Sequence, residues 1–293
     1  MGVDADRRSL AFSLDARPWL FLGLTLGLTW LLEFAAVVTQ ASIPGWAVTA
    51  LHYLGGLMPV AVAAGLSWLK HDEAFRHDFW RRVIDFRRIG LGWYAVIFLY
   101  APVKSGIAAL MDVLLGGGGM APETLTRFLE QPHVLVPTLI FWLLFGPVPE
   151  EPGWRGYALD GLQARRGALA ASLVVGAVWS LWHLPLFFIE GTWQATSVGL
   201  GTRRFWLYVL TIVVEAVLYT WIYNNTNRST LAAILFHFSG NAFGELFALS
   251  GRAEMYSLFV AVAVTVGVVG WWGAGTLARG AEEGGPATGD GVT

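Results

Sequence analysis

The chain contains no cysteine, so disulfides, thiolate catalysis and thiolate metal sites are all excluded. It is also poor in charge: only 14% of its 293 residues are Asp, Glu, Lys or Arg, and the formal net charge is −2. There is no basic patch of the kind that binds nucleic acid, and so small a net charge assigns no partner. No internal repeat is detectable along the chain, and no stretch reads as a soluble module.

What it has is apolar mass. Hydrophobic residues make up 55% of the sequence, 15 residues are Trp, and the mean hydropathy is +0.55. That composition belongs in a bilayer. Runs long enough to span recur at 20–38, 46–69, 91–115, 134–162, 168–189, 205–223, 231–249 and 257–278. The expectation is an all-α, polytopic membrane bundle of about eight helices. The first run exceeds a signal-peptide core and is taken as an anchor. The fourth is too long for one straight span, and Pro147, Pro149 and Pro152 predict a kink or a restart there.

Orientation follows from where the cations sit. With both termini in the cytoplasm, the inner segments hold Arg7, Arg8, Arg17, Lys70, Arg76, Arg81, Arg82, Arg87, Arg88, Arg165, Arg166, Arg228 and Arg279. The outer loops then hold only Arg127, Arg203, Arg204 and Arg252. This asymmetry predicts a multi-pass cell-membrane protein with cytoplasmic termini. The expected organisation is a cytosolic segment at 1–17, one transmembrane bundle at 18–278 and a disordered Gly- and Glu-rich tail at 279–293. Residues 70–88, with Phe75, Phe79, Trp80 and Phe86 among their charges, read as an amphipathic segment on the inner leaflet, an ordinary cytosolic loop being the alternative.

Within this apolar background, Glu150 and Glu151 stand side by side in Phe-Gly-Pro-Val-Pro-Glu-Glu-Pro-Gly-Trp-Arg-Gly, 145–156. Charged groups in hydrocarbon are costly, so intramembrane acids mark function by default. Glu151 and Arg155 are i,i+4 and can pair, which leaves Glu150 without an obvious local partner. Two further polar positions follow: His183, four residues after Trp179, and the i,i+4 pair His237 and Asn241. Glu150 and His183 flank the short turn at 165–167 at nearly equal distance, roughly 23 Å along their helices, so they can meet in an antiparallel hairpin. His237 and Asn241 reach roughly 13 to 20 Å from the loop near Arg228. The expectation is one polar layer, entered from the cytoplasmic, arginine-rich end. Taken singly, each residue has a structural reading as an interhelical hydrogen-bond partner or a buried ion pair.

Glu33, His52, Lys104, Asp112, Glu215 and Glu245 also fall in or beside apolar spans. They are read first as structural or gating residues, with Lys104 and Asp112 facing a common interior and Glu215 beside the polar layer.

The ordered set Glu150-Glu151 with Arg155, then Trp179-x-x-x-His183, then His237-x-x-x-Asn241 resembles the CPBP family of CAAX-protease and bacteriocin-processing intramembrane glutamic endopeptidases, also called Abi proteins. The likeness covers roughly residues 122–249. Trp179 stands where the family usually has Phe, and Pro152 directly after the glutamates bears on where both carboxylates point. The resemblance implies an endopeptidase acting on a membrane-associated protein or peptide, prenylated or bacteriocin-like, with no cofactor. It implies Glu150 as the base that activates water and His183 as a holder of that water. His237 and Asn241 would be donors to the oxyanion, with Glu151 and Arg155 keeping the site in shape. Three alternatives stand beside it: a zinc hydrolase using Glu150, Glu151, His183 and His237 as ligands, a transporter or channel, and an inactive immunity or scaffold protein.

Overall fold

A computed structural model describes residues 17–70 and 72–278. The expectations for the N-terminal segment, which reaches them only at Arg17, and for the tail at 279–293 lie outside the described residues.

The described chain is a helix bundle with one minimal two-stranded pairing. Its helices are α1 (Pro18–Thr39), α2 (Gly45–Gly56), α3 (Met58–Lys70), α4 (Glu73–Ile84), α5 (Leu91–Leu114), α6 (Glu123–Glu130), α7 (Leu135–Leu144), α8 (Pro147–Gly153), α9 (Asp160–Arg166), α10 (Ala168–Trp182), α11 (Arg203–Asn225), α12 (Thr230–Leu246) and α13 (Gly251–Trp272). Strands β1 (Met120–Ala121) and β2 (Ala248–Leu249) pair antiparallel and tie the α5–α6 connection to the end of α12.

Among the described residues, six helical runs are long and apolar enough to cross a membrane, and α2 with α3, bent by 46°, makes a seventh when taken as one span. The bend falls between the Gly55-Gly56 pair and Pro59, which lacks a backbone donor. Each of the eight expected segments therefore has a helical counterpart. The shortest is α12, whose 17 residues extend roughly 26 Å, less than the ~30 Å hydrocarbon thickness; α10 runs on through a 3-10 turn to Phe188 and reaches 21 residues. α13 starts earlier than the hydropathy suggests because Ser250 caps it, its hydroxyl accepting from the Ala253 amide at 3.1 Å. It stops earlier because Gly273 takes φ +78°, the left-handed conformation that ends helices.

The long fourth segment breaks as the prolines predict. α7 ends at Leu144, Gly146 leaves helical geometry, and Pro147 restarts the chain as α8 at the position where its missing N–H is harmless. Pro152 does not begin another helix; it lies inside α8, and the ladder widens just beyond it into a π turn, Trp154–Leu159, before α9. Such π turns often accompany functional sites. Every residue from Pro149 to Leu162 is buried, so this run is the axis of the bundle and is walled by protein on all sides.

Glycines allow that depth of packing. A Cβ at Gly153 would fall 2.7 Å from the Pro59 carbonyl oxygen and 2.8 Å from the Phe21 ring, so α8 lies directly on α3 and α1. At Gly176 it would fall 2.9 Å from both Ala216 Cβ and Val213 Cα, which brings α10 and α11 together. Small residues at close crossings are how apolar helices associate where lipid competes for their surfaces.

α4 is folded onto the bundle rather than lying free on a leaflet. Asp72 caps it by accepting from the Phe75 amide at 2.9 Å, and Phe75 and Phe79 are buried in the main core. Its other face leaves Trp80 exposed, and Phe86, just beyond its end, is exposed too, as an interfacial segment requires. Arg82 is buried and fastens α4 to the axis: it donates to Asp160 at 2.7 Å and to the Tyr223 hydroxyl at 2.6 Å. Arg228 pairs with the same Asp160. Burial alone would lower the Arg82 pKa, but Tyr223 and Asp160 outweigh it and hold the guanidinium above its ordinary range.

Candidate functional site

α8 delivers Glu150 and Glu151 into the interior, where both carboxylates are buried. Glu151 is fully enclosed: its two oxygens each accept from Arg155 Nη1 at 3.0 Å, and Oε1 also meets His237 Nδ1 at 2.9 Å. Arg155 lies between two aromatic faces, its guanidinium carbon 4.4 Å from the centre of the Trp179 ring and 4.1 Å from that of Tyr219. A cation desolvated this deeply gains from the ring quadrupoles as well as from the carboxylate. The expected i,i+4 pair is therefore present, and it carries a histidine from α12 with it.

Glu150 is held differently. Its Oε2 accepts from the Trp179 indole at 2.7 Å, and Oε1 meets no protein donor among the described residues. Trp179 serves both groups: its backbone carbonyl fixes the His183 imidazole, accepting from His183 Nδ1 at 2.8 Å, while its side chain holds Glu150. A carbonyl can only accept, so the hydrogen sits on Nδ1 and neutral His183 turns a bare Nε2 lone pair outward. The Trp179 ring centre is 6.1 Å from His183 and 5.3 Å from His237, so one indole stands between the two imidazoles.

Asn241 is exposed and lies one turn beyond His237 on α12. Its Nδ2 is 3.4 Å from where a Gly146 side chain would begin, which puts the amide at the mouth of the helix that carries Glu150. The six expected residues are thus gathered on α8 with its π turn, the end of α10 and α12. Two aromatic residues of α11 join them. Tyr219 packs on Arg155 and on His237 at 5.9 Å, and Tyr208 packs on His183 at 5.7 Å. Sequence reasoning missed both, because nothing in an apolar helix distinguishes an inward tyrosine from an outward one.

Two expectations need correcting. Lys104 and Asp112 do not share an interior: Lys104 reaches across to Glu215 at 2.5 Å, which also accepts from the Tyr100 hydroxyl, while Asp112 pairs with Arg252 and Ser250. Both aspire to partners on other helices, not on their own. The expected entry from the arginine-rich end is also not what the helices give. His183 follows the last residue of α10, Glu150 is near the start of α8, and Asn241 is in the final turns of α12. All three lie toward the end of the bundle remote from Arg82, Arg165 and Arg228. Among the described residues no three His, Asp or Glu side chains are grouped so that they could hold a metal ion.

Comparison with known proteins covers the same stretch of chain. A family described as type II CAAX prenyl endopeptidase Rce1-like matches residues 132–243, a span that includes all six site residues. The chain is also 29% identical over 265 residues to CAAX prenyl protease 2 of Methanococcus maripaludis, an alignment covering 86% of this chain and 93% of that protein. The chain is thus similar to the Rce1-like type II CAAX prenyl endopeptidases, and with several membrane-grade helices around a buried polar layer it is a multi-pass membrane protease.

Proposed function

We propose that this protease cleaves its substrate with a water activated by Glu150, without a covalent acyl-enzyme. The observation that carries this reading is the unequal treatment of two adjacent buried carboxylates. Glu151 is saturated by Arg155 and His237, whereas Glu150 keeps one oxygen clear of protein donors beside two imidazoles. A base must have a lone pair to offer, and Glu150 has one.

In the proposed reaction Glu150 takes a proton from water as the oxygen adds to the scissile carbonyl carbon. His183 Nε2 accepts the water's other hydrogen and aims it. The developing oxyanion is met by Asn241 Nδ2 and by His237, which in its doubly protonated form presents Nε2–H while Nδ1–H stays on Glu151. Collapse breaks the C–N bond, and Glu150 returns its proton to the leaving amine. Arg155 and Glu151 hold His237 in register, and the Trp179 indole holds Glu150.

The substrate we propose is a membrane-anchored peptide segment. The name of the Methanococcus relative favours a prenylated tail, and a leader of bacteriocin type is the second reading. Orientation sorts the two. Cytoplasmic termini put the arginine-rich end inside and the polar layer toward the outer surface, which suits an exported leader. The reverse orientation suits a cytoplasmic lipidated tail. Reporter fusions at Arg203 decide the orientation, and hydrolysis of farnesylated against unlipidated peptides in nanodiscs decides the substrate. Metal-free dialysis after strong chelation tests the water mechanism: full activity is expected, and loss restored by zinc alone would overturn it.

A further inference from the structure

A cavity of about 570 Å³ opens at the end of the bundle where the polar layer lies, between the α1–α2 turn and the segment after α10. Its size is ordinary for a ligand site. Its walls are mainly polar and aromatic, including Gln40, Thr49, His52, Tyr53, Glu190 and Gln194. The wall is built rather than incidental. Gln40 bridges it, donating to the Phe188 carbonyl at 3.1 Å and accepting from the Glu190 amide at 2.9 Å. Gly191 turns the chain there at φ +83°.

The cavity adjoins the catalytic groups through two contacts. Gln194 meets the Tyr208 hydroxyl, and Tyr208 packs on His183. Tyr53 packs on Phe145 at 4.8 Å, next to the glycine that starts α8. Thr29 ties α2 to α10 by donating to the Gly55 carbonyl at 2.9 Å while accepting from the Trp182 indole at 2.8 Å.

One wall residue is prepared for a ligand. His52 Nδ1 is 3.2 Å from Glu33 Oε1, and Glu33 is 1% exposed with its other oxygen unpartnered. The carboxylate fixes the ring, so Nδ1 carries the hydrogen and Nε2 is the free edge of a residue that lines the cavity. Neither residue lies in the segment that matches the protease family. Among the lining residues Glu190 is the one formal charge, and Trp193 and Tyr53 add ring faces that attract cations.

We infer that this cavity is a specificity subsite that receives the polar, unlipidated peptide segment flanking the scissile bond, and that it selects neutral or basic side chains over acidic ones. His52 accepts a hydrogen bond from the segment, Glu33 positions His52, and Glu190 sets the charge preference. A lipid chain gains nothing from such walls and stays in the bilayer. The inference rests on the peptidase reading only for the identity of the ligand as a peptide.

The test is binding, read on the full chain carrying Glu150→Gln in nanodiscs, so that hydrolysis does not enter. Two fluorescent peptides differ only by Lys or Glu in the flanking segment, and anisotropy gives Kd for each. The Lys peptide is expected to bind at least about fivefold tighter, with the order abolished or inverted by Glu190→Lys. His52→Ala and Glu33→Gln are expected to weaken both peptides alike, and Thr49→Trp, which fills the cavity from an exposed position, to weaken both most. Equal Kd values for the two peptides, or tight binding retained in Thr49→Trp, would overturn the subsite. Near-normal hydrolysis in Glu150→Gln would instead overturn the mechanism and leave this inference standing.

Discussion

Glu151 and Asp160 are two buried carboxylates on one helical run, each facing arginine, and they serve opposite ends of the molecule. Asp160 gathers Arg82, Arg228 and the Tyr223 hydroxyl, drawing α4, α9, α11 and the α11–α12 connection into a clasp. Each member of that cluster is engaged by another. Glu151 is equally saturated, but its neighbour Glu150 is not, and the imidazoles around it keep free edges. Buried ion pairs alone therefore do not mark a catalytic centre. What distinguishes the candidate site is a saturated pair placed against an unsaturated group.

The largest effect expected from breaking this contrast is at Glu150. Glu150→Gln keeps size and hydrogen bonding but removes the base, so turnover should fall about 10²- to 10⁴-fold with thermal unfolding unchanged; near-normal hydrolysis in a purified, folded variant would sink the glutamate mechanism. Arg155→Ala leaves Glu151 buried without its cation, a change worth roughly 3 to 5 kcal/mol. Both the yield of folded protein and the activity should drop, as a detergent-stability assay with parallel kinetics would read. Asp160→Asn breaks the clasp. It should lower stability by a comparable or smaller amount, yet activity per folded molecule should persist, which is the sharpest separation of the two ends.

Trp179→Phe keeps an aromatic ring and removes one donor to a carboxylate, an interaction of about 1.5 to 3 kcal/mol. A roughly tenfold or greater fall in kcat with an altered pH profile is expected; an unchanged profile would mean the indole does not touch the working form of Glu150. The smallest effect belongs to Asp85. The Arg81 hydrogen bond holds its carboxyl below the usual range. Its contribution is therefore present above the unfolded pKa near 4 and lost as pH falls through the lower folded value. Melting curves of Asp85→Asn and wild type should coincide at neutral pH within error, since the group is solvated and screened.

Much of the site was legible because charge and imidazole are rare in apolar helices. Glu150, Glu151, Arg155, His183, His237 and Asn241 announced themselves by context, and the Pro147–Pro152 cluster announced the break that delivers them. The partners across helices were not legible. The sequence offered Asp112 to Lys104 because both lie on α5, whereas the bundle pairs Lys104 with Glu215 on α11. Glu33 and His52 looked like isolated oddities on separate segments, although they form one unit. Soluble helices betray their inner face by amphipathicity, but these are apolar nearly all round, so rotation about each axis is settled only by packing. The roles of Trp179, Tyr208 and Tyr219 were hidden for the same reason.

The clasp has a kinetic consequence. One end of the bundle is stapled by a buried charged cluster, while the other is closed by a two-residue strand pair, a short α12 and a glutamine bridge. Opening should therefore propagate from that looser end and stop at Asp160, as a clothes-peg opens about its spring. Amides of α9 and the adjoining part of α11 should exchange with deuterium at the slow, global rate, while those of 188–194 and 244–250 exchange through local fluctuations orders of magnitude sooner. The protease would then admit a chain segment by fraying one rim, with no need to part its helices along their length.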